Sequence, residues 1–132
     1  MASAHFSWSV SDCLIEAIED TFEPSNQHGA DLRFHGVVRA TEGGRPISGI
    51  EYSAYETMAG PELEKIGNSI CETNPHHFAQ IHHRIGFVPA GEASLIIRVQ
   101  TAHSAEGFEL CAEYLRKIKE TVPVWKKPVY LD

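Results

Sequence analysis

Residues 92–121 have the sequence EASLIIRVQTAHSAEGFELCAEYLRKIKET, in which the apolar pattern changes once, from that of a strand to that of a helix. We expect a strand over about 92–101 and a helix over about 105–121. Five residues form the apolar stripe of this helix, namely Phe108, Cys111, Leu115, Ile118 and Val122. Pro123 ends the helix, and residues 124–128 continue as an extended tail.

The residues that precede this stretch predict three more strands. Residues 30–39 alternate between apolar and polar side chains, and a second strand follows over about 48–56 after an exposed turn at 41–46. We expect these two strands to pair as an antiparallel hairpin. A further strand over about 78–88 joins the strand at 92–101 through a Pro-Ala-Gly turn.

Two more helices are predicted. Residues 12–22 carry apolar residues at helical spacing, with Ser9 or Ser11 available as the N-cap. The other helix opens at Gly60 and Pro61, because proline is tolerated in a first turn, and it ends at residues 74–75. Its buried stripe comprises Leu63, Ile66 and Ile70.

The order helix, two strands, helix, two strands, helix predicts an α+β fold, an antiparallel sheet with flanking helices. The chain has 132 residues, 42% of them hydrophobic and 22% charged, which is typical of a folded globular protein. No internal repeat or linker divides the sequence. We therefore expect one domain over residues 1–132.

The net charge and the cysteine content limit the classes of protein to which this chain can belong. The formal net charge of −7 argues against general nucleic-acid binding, although a local basic pocket for a small anion stays compatible with it. No apolar run approaches the roughly 20 residues of a membrane span, and the N-terminus lacks signal-peptide features, so we expect a cytoplasmic protein. Cys13, Cys71 and Cys111 are odd in number and widely spaced. We interpret them as small buried hydrophobic residues, with a nucleophilic thiol as the minority alternative.

Eight histidines invite a metal interpretation, above all the pairs His76-His77 and His82-His83. Adjacent residues on a strand point to opposite faces, so neither pair chelates one ion from a regular strand. The zincin spacing is also missing from the sequence. We predict no metal site.

Three positions are candidates for chemistry, and each has an ordinary structural explanation. Lys119 belongs to a basic group at a helix C-terminus, which usually stays solvated, but a lysine crowded by cations can act as a base or nucleophile. His103 and Ser104 stand where a strand meets the last helix, where Ser104 can cap the helix and where an anion can bind. Arg39 ends the first strand, either as a surface residue or as a phosphate ligand.

Four segments, in order, resemble the large, catalytic subunit of molybdopterin synthase. They are HGADLRFHGVVR (28–39), IEYSAYETMA (50–59), IHHRIGFVPAGEASLIIRVQTAH (81–103) and YLRKIKETVPVWKK (114–127). The pieces are individually loose, but the ordered set that ends in Lys-x-x-x-Pro-x-Trp-Lys is specific.

This resemblance implies an α/β-hammerhead fold and a central homodimer flanked by two small ubiquitin-like subunits. Each small subunit would insert a Gly-Gly C-terminus that carries a thiocarboxylate. The implied activity is the conversion of cyclic pyranopterin monophosphate to molybdopterin with two such sulfur atoms, in the biosynthesis of the molybdenum cofactor. It implies no metal and no other cofactor for this step.

The resemblance also implies roles for individual residues. Lys119 and Lys126 match the catalytic lysines that face the pterin and the thiocarboxylate. The implied substrate-binding residues are Val37, Val38, Arg39, His103, Ser104, Lys127 and Pro128. Arg39, His103 and Ser104 would hold the substrate phosphate.

The sequence departs from the family pattern at Ser104, where the family usually has arginine, and at Pro128, where it often has an acidic residue. Many members also continue beyond the position of Asp132. Loss of one charge-assisted phosphate contact, worth on the order of 1.5–3 kcal/mol, would weaken substrate binding about tenfold or more. Two alternatives therefore stay open: a non-catalytic relative that keeps dimerisation and small-subunit binding, and a sulfur-transfer enzyme with an altered substrate.

Overall fold

The computed structural model describes residues 5–132. Its elements, in chain order, are β1 (His5–Ser11), α1 (Ile15–Glu19), β2 (Ala30–Val37), β3 (Thr41–Glu42), β4 (Arg45–Ala54), α2 (Glu56–Thr73), β5 (Phe78–Arg84), β6 (Gly86–Pro89), β7 (Ala93–Thr101), α3 (Ser104–Thr121) and β8 (Val124–Tyr130). Within this range no helix is both long enough and apolar enough to cross a membrane.

The first sheet has the strand order β1-β5-β7-β2. Strand β7 pairs antiparallel with both β5 and β2, whereas β1 runs parallel to β5 at the edge. All residues of β7 after Ala93 are buried, as expected for a central strand covered on both faces. The expected α+β architecture is confirmed, with one parallel pairing that makes this sheet mixed.

The second sheet is built on the long strand β4. Strand β6 pairs with one part of β4, β8 pairs along most of its length, and β3 pairs with its first residues, all of them antiparallel. Gly43 and Gly44 have φ values of 58° and 80°, which suit the tight turn between β3 and β4. A smaller cluster of buried residues, including Val38, Tyr52 and Val88, belongs to this sheet.

Helices α2 and α3 pack their apolar faces against the first sheet. Leu63 and Ile70 of α2 and Tyr114 of α3 are each at most 1% exposed, and they meet Ile97 of β7 in the main core. Burying side chains of this size stabilises a fold by about 1.5–3 kcal/mol each, so this layer fixes the direction of α3. The last turn of α3 lies beside the second sheet, since residues of both line one cleft.

The predicted hairpin between residues 30–39 and 48–56 is wrong. Strand β2 pairs with β7, and β4 belongs to the other sheet. The register shifts at Gly36 and Val37, and the chain then leaves the first sheet through β3. The predicted strand over 78–88 is likewise divided, because Gly86, with a φ of 89°, redirects the chain from β5 to β6.

Three further local predictions need correction. The helix predicted over 12–22 is only the short α1, and Ser9 and Ser11 belong to the preceding strand instead of capping it. Helix α2 begins at Glu56, so Pro61 lies inside the helix and not at its start. Phe108 is 68% exposed, because α3 turns Gly107, Leu110, Tyr114 and Ile118 toward the core.

The cysteines were expected to be buried within helices, and this holds only in part. Cys71 and Cys111 lie in α2 and α3 and are half-buried, and burial raises the pKa of both thiols. Cys13 is exposed and precedes α1. All three carry free thiols, since the structure contains no disulfide between them.

Candidate functional site

A cleft of about 550 Å³ lies where the C-terminal turns of α3 meet the second sheet. Its size is within the range of small-molecule sites, about 300–1,000 Å³. Six structural elements supply its walls, with Val37 from β2, Tyr52 from β4, His83 from β5, Leu95 from β7, Lys119 from α3 and Lys126 from β8 among the lining residues. Three further clefts of the described part of the chain have no lysine among their lining residues.

Lys119 stands in the last turn of α3, immediately after the buried Ile118. The core contact of Ile118 fixes the helix face, so the Lys119 side chain emerges at the rim of the core and lines the cleft. The C-terminal end of a helix carries partial negative charge, which favours an ammonium group there. Lys119 is thus exposed to the cleft beside the buried side chains of α3.

Lys126 reaches the same cleft from β8. Pro123 follows α3, and the chain then pairs with β4 so that Lys126 and Tyr52 are directly opposed. Opposed residues project from the same face of a sheet, so the lysine and the tyrosine form one wall. Lys127, the next residue, projects from the other face of β8 and is exposed, while Pro128 is half-buried opposite Ile50.

His83 lies in this wall, 8% exposed, with its ring edge-on to Tyr52 at a centroid distance of 5.4 Å. Its Nδ1 lies 2.9 Å from the backbone carbonyl of Arg84, so Nδ1–H donates and Nε2 carries the lone pair. Burial lowers the pKa of His83 below its usual value, and the positive charge of Lys126 contributes in the same direction. The imidazole is therefore neutral at neutral pH.

The residues that follow β2 differ in their surroundings. Val37 is 54% exposed and lines the cleft, whereas Val38 is 3% exposed and packs in the core of the second sheet. Arg39 is exposed, and its guanidinium forms no ion pair with the side chains that the structure describes. The guanidinium of Arg39, two residues after Val37 in the chain, is thus available to an external anion.

His103 and Ser104 do not line this cleft. They occupy the N-terminal end of α3, and with a rise of about 1.5 Å per residue Ser104 lies about 22 Å from Lys119 along the helix axis. His103 is the N-cap residue, and no side chain caps the helix, so the predicted capping role of Ser104 is wrong. Thr101 instead donates its hydroxyl to the His103 carbonyl, at 2.7 Å.

Tyr52 and His83 line the cleft but were not among the site residues predicted from the sequence. The prediction that His82 and His83 lie on opposite faces of a strand is confirmed, because His82 contacts Ser9 and Cys13 instead of the cleft. Ile81 packs in the main core on the α3 side of the sheet, and a strand alternates with period two. That period was the available signal that His83, not His82, faces α3.

Comparison with known proteins gives one consistent result. A family model described as MoaE protein matches residues 8–121. A molybdopterin synthase catalytic subunit from Taeniopygia guttata is 40% identical over 106 residues, which cover 79% of this chain and 68% of that protein. Among the other curated relatives, all with the same description, the chain spans between 51% and 71% of their length.

Solved structures agree with the sequence comparisons. A molybdopterin synthase structure from Staphylococcus aureus has a TM-score of 0.81 and 30% identity, covering 95% of this chain and 90% of that one. A chain from a complex of subunits 1 and 2 of molybdopterin-converting factor from Helicobacter pylori has a TM-score of 0.73 at 19% identity, with 96% and 90% covered. The latter likeness concerns the fold alone.

Proposed function

Because this chain belongs to the MoaE family, we propose that it is a catalytic subunit of molybdopterin synthase. It converts cyclic pyranopterin monophosphate to molybdopterin, a step in the biosynthesis of the molybdenum cofactor. The sulfur comes from the thiocarboxylated C-terminus of a small ubiquitin-like subunit. The observation that carries this proposal is the meeting of Lys119 and Lys126, from different elements, in one cleft.

The charges of the cleft suit both reactants. A substrate phosphate and a thiocarboxylate are both anions, and two lysines offer them a local positive field on a chain whose net charge is −7. Lys119 and Lys126 stabilise the charge that develops on the acyl group during sulfur transfer. Val37 contacts the substrate ring and Arg39 holds its phosphate. Lys127 and Pro128 do not line the cleft, so their part in substrate binding is limited to holding β8, and with it Lys126, against β4.

His103 and Ser104 require a second copy of the chain to take part. At about 22 Å from Lys119 along α3, they cannot reach the substrate in the same protomer's cleft. In a homodimer, the α3 N-terminus of one protomer would approach the cleft of its partner and hold the phosphate there with Arg39. Each active site would then consist of residues from both protomers.

Mixed dimers test this arrangement. Lys119→Ala and His103→Ala each inactivate the homodimer, but a mixed dimer carries one cleft with an intact Lys119 and an intact His103 from its partner. Random mixing should restore about a quarter of the wild-type activity, because half of the dimers are mixed and each has one working site. If both residues acted within one protomer, mixing would restore nothing.

The small subunit is proposed as the second partner. The complex that shares this fold contains two different subunits of molybdopterin-converting factor. In our proposal the flexible C-terminus of the small subunit enters the cleft between α3 and β8. We further propose that the protein works in the cytoplasm, where three free thiols are maintained.

The decisive experiment is a single-turnover assay with purified protein, thiocarboxylated small subunit and cyclic pyranopterin monophosphate, scored for molybdopterin. Wild-type protein should form product, and Lys119→Ala should abolish it without a change in fold. Lys117→Ala is the matched control, because Lys117 belongs to the same helix but does not line the cleft. A wild-type protein that binds the small subunit but forms no product, beside an active reference enzyme, would overturn the proposal.

The alternative function is a non-catalytic relative that keeps dimerisation and small-subunit binding. The observation in its favour is Ser104, which supplies no positive charge at the N-terminus of α3. The same assay distinguishes the two, because the alternative predicts small-subunit binding without product. An enzyme with an altered substrate would instead show weak binding of the phosphorylated pterin.

A further inference from the structure

We propose that His83 is the proton acceptor of the cleft, whose Nε2 takes a proton from the water that releases sulfur from the small subunit. This inference rests on the proposed function. The sequence pattern drew attention to His83 only as part of a histidine pair, and the family resemblance gave it no role. Three features of the structure support it: the set of bases in the cleft, the hydrogen bonds of the buried histidines, and the neighbouring charges.

The cleft contains few groups that can accept a proton. Among the side chains that the structure describes, no aspartate or glutamate lines the cleft. The two remaining bases are His35 and His83. His35 is held by Glu19, with Nε2 at 2.7 Å from the carboxylate, so its ring is engaged outside the cleft.

The hydrogen bonds of the buried histidines separate His83 from the others. Both nitrogens of His77 are occupied, by the Asn74 carbonyl at 2.7 Å and the Tyr114 hydroxyl at 2.6 Å. Both nitrogens of His82 are likewise engaged, by the Ser9 hydroxyl and the Cys13 carbonyl. His83 bonds through Nδ1, and none of the side chains or backbone groups that the structure describes hydrogen-bonds its Nε2.

The Arg84 carbonyl therefore acts as a positioning group for His83. By accepting from Nδ1–H, it fixes the tautomer and leaves the Nε2 lone pair for an incoming donor. The edge-on contact with Tyr52 holds the plane of the ring. A carbonyl partner of this kind is what a general base needs, because it also stabilises the imidazolium formed after proton transfer.

The charged and titratable groups around His83 favour its neutral form. They come from the neighbouring elements and comprise Tyr52 of β4, His82 of β5, His35 of β2, Lys119 of α3 and Lys126 of β8. Burial lowers the pKa of His83, and the charge of Lys126 adds to this effect. Near neutral pH the ring is therefore an available base, and acidification protonates it.

The chemistry supplies a step that needs such a base. Once the thiocarboxylate sulfur has bonded to a substrate carbon, that sulfur still bears the acyl group of the small subunit. Water attacks the acyl carbon, the new C–O bond forms, and the acyl C–S bond breaks. One water proton passes to His83 Nε2, sulfur leaves as a thiolate on the substrate, and the second proton is lost to solvent as the carboxylate forms. Lys119 and Lys126 stabilise the two anions, and no oxidant or reductant is required.

The test is the pH dependence of single turnover at subsaturating substrate in wild-type, His83→Gln and His82→Gln proteins. Wild-type activity should fall as the pH drops below the lowered pKa of His83. His83→Gln should lose activity by about a hundredfold or more and should lose this acidic limb. His82→Gln is the matched control: it removes an adjacent buried histidine on the opposite face, and it should keep the acidic limb.

A second measurement decides the matter if His83→Gln does not fold. NMR titration of the wild-type histidine side chains gives the pKa of His83 directly, and the proposal requires it to coincide with the midpoint of the acidic limb. In Lys126→Met the same resonance should titrate at higher pH, because a neighbouring cation is gone.

The outcomes separate this inference from the proposed function. Wild-type protein that forms no product overturns both. Active wild-type protein with an unchanged acidic limb in His83→Gln, or with a His83 pKa that does not match the limb, overturns the role of His83 and leaves the proposed function intact. Loss of activity together with the acidic limb in His83→Gln alone supports the role.

Discussion

Two groups of polar residues near α3 show opposite arrangements, one closed and one open. In the closed group, His77 lies between the Asn74 carbonyl and the Tyr114 hydroxyl, with 0% exposure of both His77 and Tyr114. In the open group, His83 has one protein partner, and Lys119 and Lys126 extend into a cleft of about 550 Å³. Burial lowers the pKa of both histidines.

The closed and the open group differ in which atoms complete the hydrogen bonds of their polar side chains. Protein atoms complete them in the closed group, so its polar atoms stabilise the packing between α2, α3 and the turn before β5. In the cleft, partners must come from outside the chain. Burial lowers the pKa of both histidines, but with different consequences. His77 is a neutral structural histidine, whereas His83 is an available base.

Removal of a charge from the open group should have the largest effect. Lys126→Ala should reduce single turnover by about a hundredfold or more, since it removes a cation from the place where negative charge develops. The free energy of unfolding, from urea titration, should change by less than about 0.5 kcal/mol because the side chain is exposed. Normal turnover in this variant would mean that the cleft is not the reaction site.

Removal of a hydroxyl from the closed group should lower the stability of the protein and leave its turnover unchanged. Tyr114→Phe removes the hydroxyl that donates to Nε2 of His77 and leaves only the Cys71 thiol, 4.0 Å away, which should lower the free energy of unfolding by about 1–3 kcal/mol. Turnover per folded molecule should stay at the wild-type level. The contrast between the groups would fail if this variant kept its stability and lost its activity.

A smaller effect is expected at Ser104, which lies outside the cleft of its own protomer and which in the proposed homodimer faces the open group of the partner. Ser104→Arg should tighten the binding of cyclic pyranopterin monophosphate to the dimer about tenfold, through one added charge-assisted contact to phosphate. Isothermal titration calorimetry measures this change. Ser104→Gln is the uncharged control of similar reach and should bind like wild type. Equal affinity of both variants would show that another group already holds the phosphate.

The smallest expected effect is on stability at acidic pH. Burial lowers the pKa of His77 in the folded state, so the unfolded chain binds more protons below about pH 6.5, and the free energy of unfolding should fall as the pH falls through that region. Urea titrations between pH 8 and pH 5 measure the slope. His77→Gln should make it shallower, and a slope unchanged by this substitution would contradict the structural role.

The part of this arrangement that can be predicted from sequence depends on how far apart in the chain the contacting residues lie. The helix over 105–121 and the strand over 92–101 have local signals, periodicity and the break at Pro123, and both are found within a residue or two. The pairing of β2 with β7 has no local signal, because it joins strands far apart in the chain, so the adjacent strand was wrongly chosen as partner.

The site shows the same limit. Lys119 and Lys126 were identified because a motif near one end of the chain contains both, and the structure brings them together. Tyr52 and His83 line the cleft because β4 pairs with β8 and because Tyr52 contacts His83. The period of the strand indicates which face His83 occupies, but no spacing in the sequence shows that a cleft lies there. The separation of Ser104 from Lys119 follows from the unbroken helix between them.

The most direct test of the distinction between the groups is a histidine side-chain NMR spectrum of the protein, recorded with and without cyclic pyranopterin monophosphate. Single His→Gln variants assign the resonances. We expect the substrate to shift the His83 Nε2 resonance strongly and to leave His77 and His82 unchanged. A spectrum in which His83 stays unchanged at saturating substrate would contradict the assignment of this cleft as the active site.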